Sequence, residues 1–166
     1  MTVALIVRNA SGRRAPVLRR DLARIAEKAC ALEGCRDSVE ISLLYCDDMF
    51  IRGLNKTYRR QDKPTDVLSF TQNHSPGKGP RPLGDIVISL ETVQRHCAET
   101  GESLRNETRL LFCHGVLHLL GHDHAAAEDK TAMMRRQAEC LGIPFEAAWP
   151  PSKAFARKRR PLRATR

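Results

Sequence analysis

The pattern of hydrophobic and polar positions is typical of strands and helices in the first half of the chain and of helices alone in the second half. Four strands are predicted, over 2–7, 39–45, 65–71 and 83–90, and the second of them shows alternating hydrophobic positions. Hydrophobic residues three and four positions apart predict helices over 16–32, 47–58, 91–99, 102–120 and 126–141. Because most strands come early and the last three elements are all helical, the pattern favours an α+β domain.

One predicted helix is hydrophobic almost all round. Residues 110–120 are apolar apart from two histidines, and a helix of this kind is buried on every side. We therefore expect a single domain over residues 1–150, in which a small mixed β-sheet of about four strands packs around this central helix. The glycine- and proline-rich stretch 73–82 is expected to be a loop between two strands.

Three histidines at the end of this helix have the spacing of a metal site. His114 and His118 are four residues apart, so on a helix their imidazoles lie on one face. Gly121 can end the helix in the left-handed conformation, after which His124 reaches the same ion. Three imidazoles leave the fourth position of a tetrahedral ion open, which is typical of a single catalytic Zn²⁺.

Two more polar residues lie in the same turn. Asp123 is expected to orient a ligand imidazole or to cap the turn, rather than to bind the ion itself. His122 is expected to be solvated, so it is not assigned as a ligand.

The composition fits one globular domain. The chain has 166 residues, of which 42% are hydrophobic, and it contains no apolar run of the length that spans a membrane. The amino terminus is charged too soon for a signal peptide, so we expect a soluble, cytoplasmic protein with no membrane partner. Six dispersed cysteines without a C-x-x-C pair indicate reduced, buried thiols.

The net charge of +9 is concentrated at the carboxyl terminus. Residues 151–166 carry seven basic side chains and no acid, which leaves residues 1–150 with 21 basic and 19 acidic side chains. We expect this tail to be disordered and able to hold RNA through phosphate contacts, although a solvated tail without a binding role is an equal alternative. The candidate RNA-binding residues are Arg157, Lys158, Arg159 and Arg160.

The histidine segment is similar to the metzincin protease pattern H-E-x-x-H-x-x-G-x-x-H in every spacing. Gly115 occupies the position of the glutamate, which in a protease is the general base. Since glycine cannot take a proton, the pattern keeps the metal but loses the central catalytic group of a peptidase.

Three blocks of sequence resemble the YbeY family of bacterial endoribonucleases. The blocks are LNKTYR at 54–59 leading to DKPTDVLSF at 62–70, LGDIVIS at 83–89, and HGVLHLLGHDH at 114–124. The resemblance implies a single-strand-specific, metal-dependent endoribonuclease that processes the 3′ end of small-subunit ribosomal RNA and acts in ribosome maturation and quality control. Its partners would be RNA, especially ribosomal RNA, and ribosomal particles.

The resemblance also implies roles for particular residues. His114, His118 and His124 match the metal ligands of the family, and Arg59 matches an arginine that is critical for function. A guanidinium stays charged and can hold two phosphate oxygens as charge develops in the transition state. The sequence does not identify the general base. Asp85 is the favoured catalytic candidate, and Asp66 and Glu107 are the alternatives. A metal-bound hydroxide that attacks directly would need no side-chain base.

Two other functions remain open from the sequence. One is a ribosome-assembly factor without catalytic activity, in which the zinc is structural and the tail docks on RNA. The other is a metal-dependent hydrolase of peptide or amide bonds, which the metzincin-like spacing favours and Gly115 disfavours.

Overall fold

A four-stranded sheet and five α-helices form the domain in the computed structural model, which describes residues 1–72 and 79–149. The tail at 151–166, with its four candidate RNA-binding residues, lies outside the described residues. The elements in chain order are β1 Val3–Asn9, α1 Arg19–Leu32, β2 Val39–Cys46, α2 Asp48–Arg59, β3 Val67–Thr71, β4 Arg81–Ser89, α3 Leu90–Thr100, α4 Leu104–Leu119 and α5 Ala127–Leu141, followed by a 3₁₀ turn at Phe145–Ala147.

The sheet is mixed, with the strand order β1-β2-β4-β3. β1, β2 and β4 are parallel, while the edge strand β3 is antiparallel to β4. α1 joins β1 to β2, because two parallel neighbours need a crossover connection. The predicted α+β fold with a small mixed sheet is confirmed.

Several predicted boundaries differ from the observed ones, and two of the differences have a clear physical reason. α1 begins at Arg19 rather than at residue 16, because Leu18 is its N-cap and accepts the first backbone hydrogen bonds of the helix. β4 begins at Arg81, so the end of the predicted loop belongs to the sheet. Pro82 is tolerated within this strand because it lies at a β-bulge, opposite Glu40 of β2.

α4 is the central helix, as predicted. Every residue of this helix from Glu107 to Leu119 is buried except Arg109, and α4 packs against β3, β4 and helices α1, α3 and α5. The main hydrophobic core lies between this helix and one face of the sheet. α4 has 16 residues, and no helix in the described ranges is long and apolar enough to cross a membrane.

A smaller hydrophobic cluster covers the opposite face of the sheet. It joins Ile51 of α2 to side chains of three strands, namely Cys46, Leu68 and Val87. α2 and α4 therefore lie on opposite faces of the sheet, and successive residues of a strand point to one face and then to the other.

Candidate metal centre

The end of α4 and the turn after it bring three histidine side chains to one point. The turn is closed by backbone hydrogen bonds from Gly121 to His118 O and from His122 to Leu117 O, at 3.1 and 2.9 Å. Gly121 has a φ of 101°, a conformation that favours glycine. Candidate ligand atoms of His114, His118 and His124 lie within 4.8 Å of one another.

Hydrogen bonds fix how two of the imidazoles face this point. His114 Nδ1 lies 2.6 Å from Gln137 Oε1, and His118 Nδ1 lies 2.8 Å from the carbonyl oxygen of His122. Gln137 uses its Nε2 to donate to the Ala148 carbonyl, so its Oε1 is the acceptor. Both histidines therefore carry their hydrogen on Nδ1 and direct the lone pair of Nε2 inward.

The inward nitrogens fit a metal ion. His114 Nε2 and His118 Nε2 are 2.9 Å apart, and two lone pairs at this distance repel each other unless they share a proton or a metal ion. Metal-binding histidines commonly donate their other ring hydrogen to a carbonyl or a side chain, as both do in this structure. The donor set thus matches a metal centre, and the ring of His124 completes it at 5.0 Å from that of His118, between centroids.

Gln137 is a site residue that the sequence analysis missed. It comes from α5, is fully buried, and holds His114 in place. Its position in the sequence indicated a buried role, because Gln137 lies between Met133 and Cys140 on the buried stripe of α5. A buried polar side chain needs a hydrogen-bond partner. Which partner it meets depends on how α5 packs on α4.

The turn residues have structural partners. Asp123 Oδ1 accepts a hydrogen bond of 2.8 Å from the backbone N–H of His124, so it caps the turn, one of the two roles expected for it. His122 is half-buried rather than solvated, because its Nε2 lies 3.0 Å from Glu33 Oε1. Glu33 also pairs with Arg136 at 2.7 Å, and this group ties the turn to α1 and α5.

Trp149 also borders the histidines and was not identified from the sequence. Its ring centroid lies 5.3 Å from that of His124 and 5.6 Å from that of His114, nearly perpendicular to both. The only signal was that it is the single tryptophan of the chain. Its contact depends on the 3₁₀ turn, which returns the chain to α4.

Arg59 is the last residue of α2, which lies on the face of the sheet opposite α4. The neighbouring ring of Tyr58 packs on Phe70, with centroids 4.9 Å apart. A side chain at Gly84 would overlap the Phe70 carbonyl oxygen and lie 2.9 Å from Leu119, which follows His118. The carboxyl end of α2 is therefore linked to the carboxyl end of α4 through Phe70 of the edge strand β3 and Gly84 of β4.

Asp85 is not brought to the histidines. Ile86 faces α4, so the preceding side chain points to the opposite face, toward α2. There Asp85 Oδ2 accepts a hydrogen bond of 2.7 Å from Gln72 Nε2. This position counts against the predicted catalytic role of Asp85.

Asp66 and Glu107, the other candidate bases, lie at the far end of α4. Asp66 is fully buried and accepts a hydrogen bond of 2.8 Å from the backbone N–H of Val67. Glu107 is two turns before His114, about 10 Å along the helix axis. Burial, and then the charge of Asp66, raise the pKa of Glu107 to about 7. Both carboxyl groups belong to the core at the carboxyl end of β4.

Gly115 brings α4 close to the sheet. A Cβ atom at this position would lie 3.1–3.2 Å from three side-chain carbons of Ile86. The space next to His114 is therefore filled by β4, and a glutamate in the metzincin position would be pushed into the sheet. The close packing gives a structural reason to reject the peptidase alternative.

We expect Gly115→Ala to lower the free energy of unfolding by about 1–3 kcal/mol, because the added methyl overpacks the contact with Ile86. Gly53→Ala is the matched control: this helical glycine has no atom within 4 Å of an added Cβ, so alanine should be neutral or stabilising by up to about 1 kcal/mol. Urea denaturation of both variants measures the difference. Equal stability of the two would show that α4 has room at this point.

The fold and the site define a class of protein, namely a small α+β protein with a candidate metal-binding centre of three histidines at the end of a buried helix and in the turn after it. The family model described as Endoribonuclease YbeY matches residues 8–143. The chain belongs to this family. The match contains the three histidines and Arg59, and it ends before Trp149.

Individual relatives agree with the family. The chain is 46% identical over 125 residues to an endoribonuclease YbeY from Pelotomaculum thermopropionicum, a match that covers 73% of this chain and 82% of that protein. It is 40% identical over 127 residues to an endoribonuclease YbeY from Bacillus cytotoxicus, covering 71% and 81%. A solution structure of a Thermotoga maritima protein has the same fold, with a TM-score of 0.56 at 23% identity, covering 85% of this chain and 90% of that one.

Proposed function

We propose that the chain is a metal-dependent endoribonuclease that acts on ribosomal RNA and that its metal is zinc. The observation that carries the proposal is the convergence of the three histidines, two of them with Nδ1 held by a carbonyl group. The name of the relatives supplies the reaction and the class of substrate. Action on single strands, at the 3′ end of small-subunit RNA, and in ribosome quality control is part of the same proposal.

The choice of zinc rests on the ligand set. His114, His118 and His124 are the only group of possible metal ligands found in the described residues, and they offer three imidazoles without a thiolate or a carboxylate. Such a set suits zinc and leaves one coordination position open for catalysis. When bound, zinc supplies a Lewis acid for a phosphoryl oxygen and a water activated near neutral pH.

The protein residues then have separate tasks. Gln137 and the carbonyl of His122 orient two imidazoles, so the ligands need not reorganise during the reaction. Arg59 is proposed to bind the phosphate oxygens at the edge of the sheet and to stabilise the charge that develops there. None of the three candidate bases lies at the histidines, and we assign none of them to proton transfer.

Arg59→Ala tests this assignment. We expect the variant to keep its metal and its stability and to lose about 10²–10³-fold in RNA cleavage, because one preorganised charge partner of the transition state is removed. The measurements are zinc content, thermal unfolding and the rate of cleavage of a single-stranded RNA.

The matched control is Arg52→Ala, which removes an arginine from the same helix. Arg52 is paired with Asp62 at 2.8 Å, and an exposed pair of this kind contributes little to stability. We expect nearly normal cleavage from this control. If Arg59→Ala cleaved at the same rate as Arg52→Ala, Arg59 would be an ordinary surface residue.

If purified wild-type protein with full zinc did not cleave RNA, the alternative of an assembly factor without catalytic activity would be favoured.

The tail is proposed to add affinity for RNA without sequence preference. Its seven basic side chains can neutralise phosphates and release counterions, which makes binding strongly dependent on salt. A substrate in the ribosome also fits the proposed location in the cytoplasm.

A further inference from the structure

A lysine and a tryptophan form a small group next to the histidines. Lys130, in the second turn of α5, places its Nζ 4.5 Å from the centroid of the Trp149 ring. The same ring lies against His114 and His124. A single indole therefore separates the ammonium group from two of the three metal-binding histidines.

The position of Lys130 is defined by the indole rather than by an acid. Glu128 and Asp129 are its neighbours in sequence, but no ion pair joins Lys130 to a carboxylate within residues 1–72 and 79–149. Contact with an aromatic face attracts a lysine ammonium without using up its hydrogen-bond donors. Lys130 is exposed, so these donors remain available to a ligand.

We propose that Lys130 and Trp149 form a phosphate-binding subsite, which holds an RNA phosphodiester next to the one cleaved at the histidines. The inference rests on the proposed nuclease function. Trp149 is the positioning residue, because it fixes the ammonium group beside the metal centre. Lys130 supplies the charge and the donors that a phosphate needs.

The geometry favours a phosphate over a stacked base. One face of the indole is covered by Lys130, and its ring is bordered by His114 and His124 at nearly right angles. The subsite also complements Arg59. That arginine comes from α2, on the other face of the sheet, so the two cations would contact the RNA strand on different sides of the histidines.

One of the two subsite residues lies beyond the family match, which includes Lys130. The match ends at residue 143, and Trp149 follows it by six positions. The basic tail at 151–166 begins two positions after this tryptophan in the sequence.

The experiment uses the full chain with zinc bound. Binding of a fluorescent single-stranded oligodeoxynucleotide is measured by anisotropy at several salt concentrations, and cleavage of an RNA of the same sequence gives kcat and KM. We expect Lys130→Ala to raise Kd and KM about 3–10-fold and to reduce the salt slope by about 0.7, the value for one phosphate contact on a single strand. Zinc content and kcat should stay within about twofold of wild type, and Lys130→Arg should restore binding.

Arg135→Ala is the matched control, because it removes another exposed cation from the same helix. It should change Kd less than twofold. Trp149→Leu should weaken binding as much as Lys130→Ala, and the double variant should be no weaker than either single one, since both remove the same contact.

Two results would overturn the subsite. One is equal binding by Lys130→Ala and Arg135→Ala. The other is faster cleavage by Trp149→Leu while Lys130→Ala is unchanged, which would mean that the indole covers the metal. Binding that depends on Lys130 in a protein that cleaves no RNA would support the subsite and refute only the nuclease function.

Discussion

Replacing His114 with alanine is expected to abolish stoichiometric zinc binding and to lower RNA cleavage by at least about 10³-fold. A metal ion contributes several kcal/mol to stabilising the transition state, and each 1.4 kcal/mol corresponds to about a factor of ten in rate. His114 is fully buried and is held by Gln137, so two ligands without it form an incomplete site. Metal analysis and a cleavage assay on the same preparation measure both losses.

His122→Ala is the control for this experiment. It removes a histidine from the same segment, but its side chain pairs with Glu33 and only its backbone carbonyl contacts a ligand. We expect the control to retain zinc and most of the activity, with a modest loss of stability. Full cleavage by a zinc-free His114→Ala protein would refute catalysis by the metal and leave the histidines with a structural role.

Glu107→Gln is expected to stabilise the protein above neutral pH by about 1–3 kcal/mol. The pKa of Glu107 is raised from 4.5 to about 7, first by burial and then by the negative charges of Asp66 and Glu102. The folded protein therefore binds a proton more tightly than the unfolded chain does. The carboxyl group is favourable when protonated, below about pH 4.5, and this contribution is lost as the pH rises through about 7.

The size of the effect follows from the shift in pKa. One pKa unit corresponds to about 1.4 kcal/mol, so the ionised Glu107 costs on the order of 3 kcal/mol at pH 8. The residue is only 4% exposed and its Oε1 has no hydrogen-bond partner among the described residues, so solvent does little to reduce this cost. Glutamine keeps the shape without the charge.

Urea denaturation at pH 5, 6, 7 and 8 measures this prediction. Wild type should lose stability relative to Glu107→Gln across this range, whereas Glu99→Gln, an exposed carboxylate of α3, should follow wild type. Parallel curves for Glu107→Gln and wild type would mean that Glu107 does not titrate in this range.

The sequence alone was enough to predict that the three histidines come together. A spacing of four within a helix and a glycine after it are local features, and local geometry alone brings His114, His118 and His124 together. The residues that orient these ligands were predicted less well. Gln137 is 23 positions from His114, and only the packing of α5 on α4 makes it a partner.

The surroundings of Asp85 could not be predicted from the sequence either. Its place in a strand next to a motif glycine was visible in the sequence, but the side of the sheet that it faces was not. That depends on which face α4 covers, and α4 lies on the face of Ile86, where Gly115 packs closely against the sheet. A shift of one residue in register would have reversed the result.

The sequence by itself determined the mixed α+β class, the central buried helix, the three histidines of the candidate metal site and the family, because each is encoded in the periodicity or spacing of nearby residues. The tertiary structure alone decided the strand order, the partners Gln137 and Trp149, and the separation of Asp85 from the histidines. These contacts join residues that are far apart in the chain, and their free energy comes from packing and burial that no local pattern specifies.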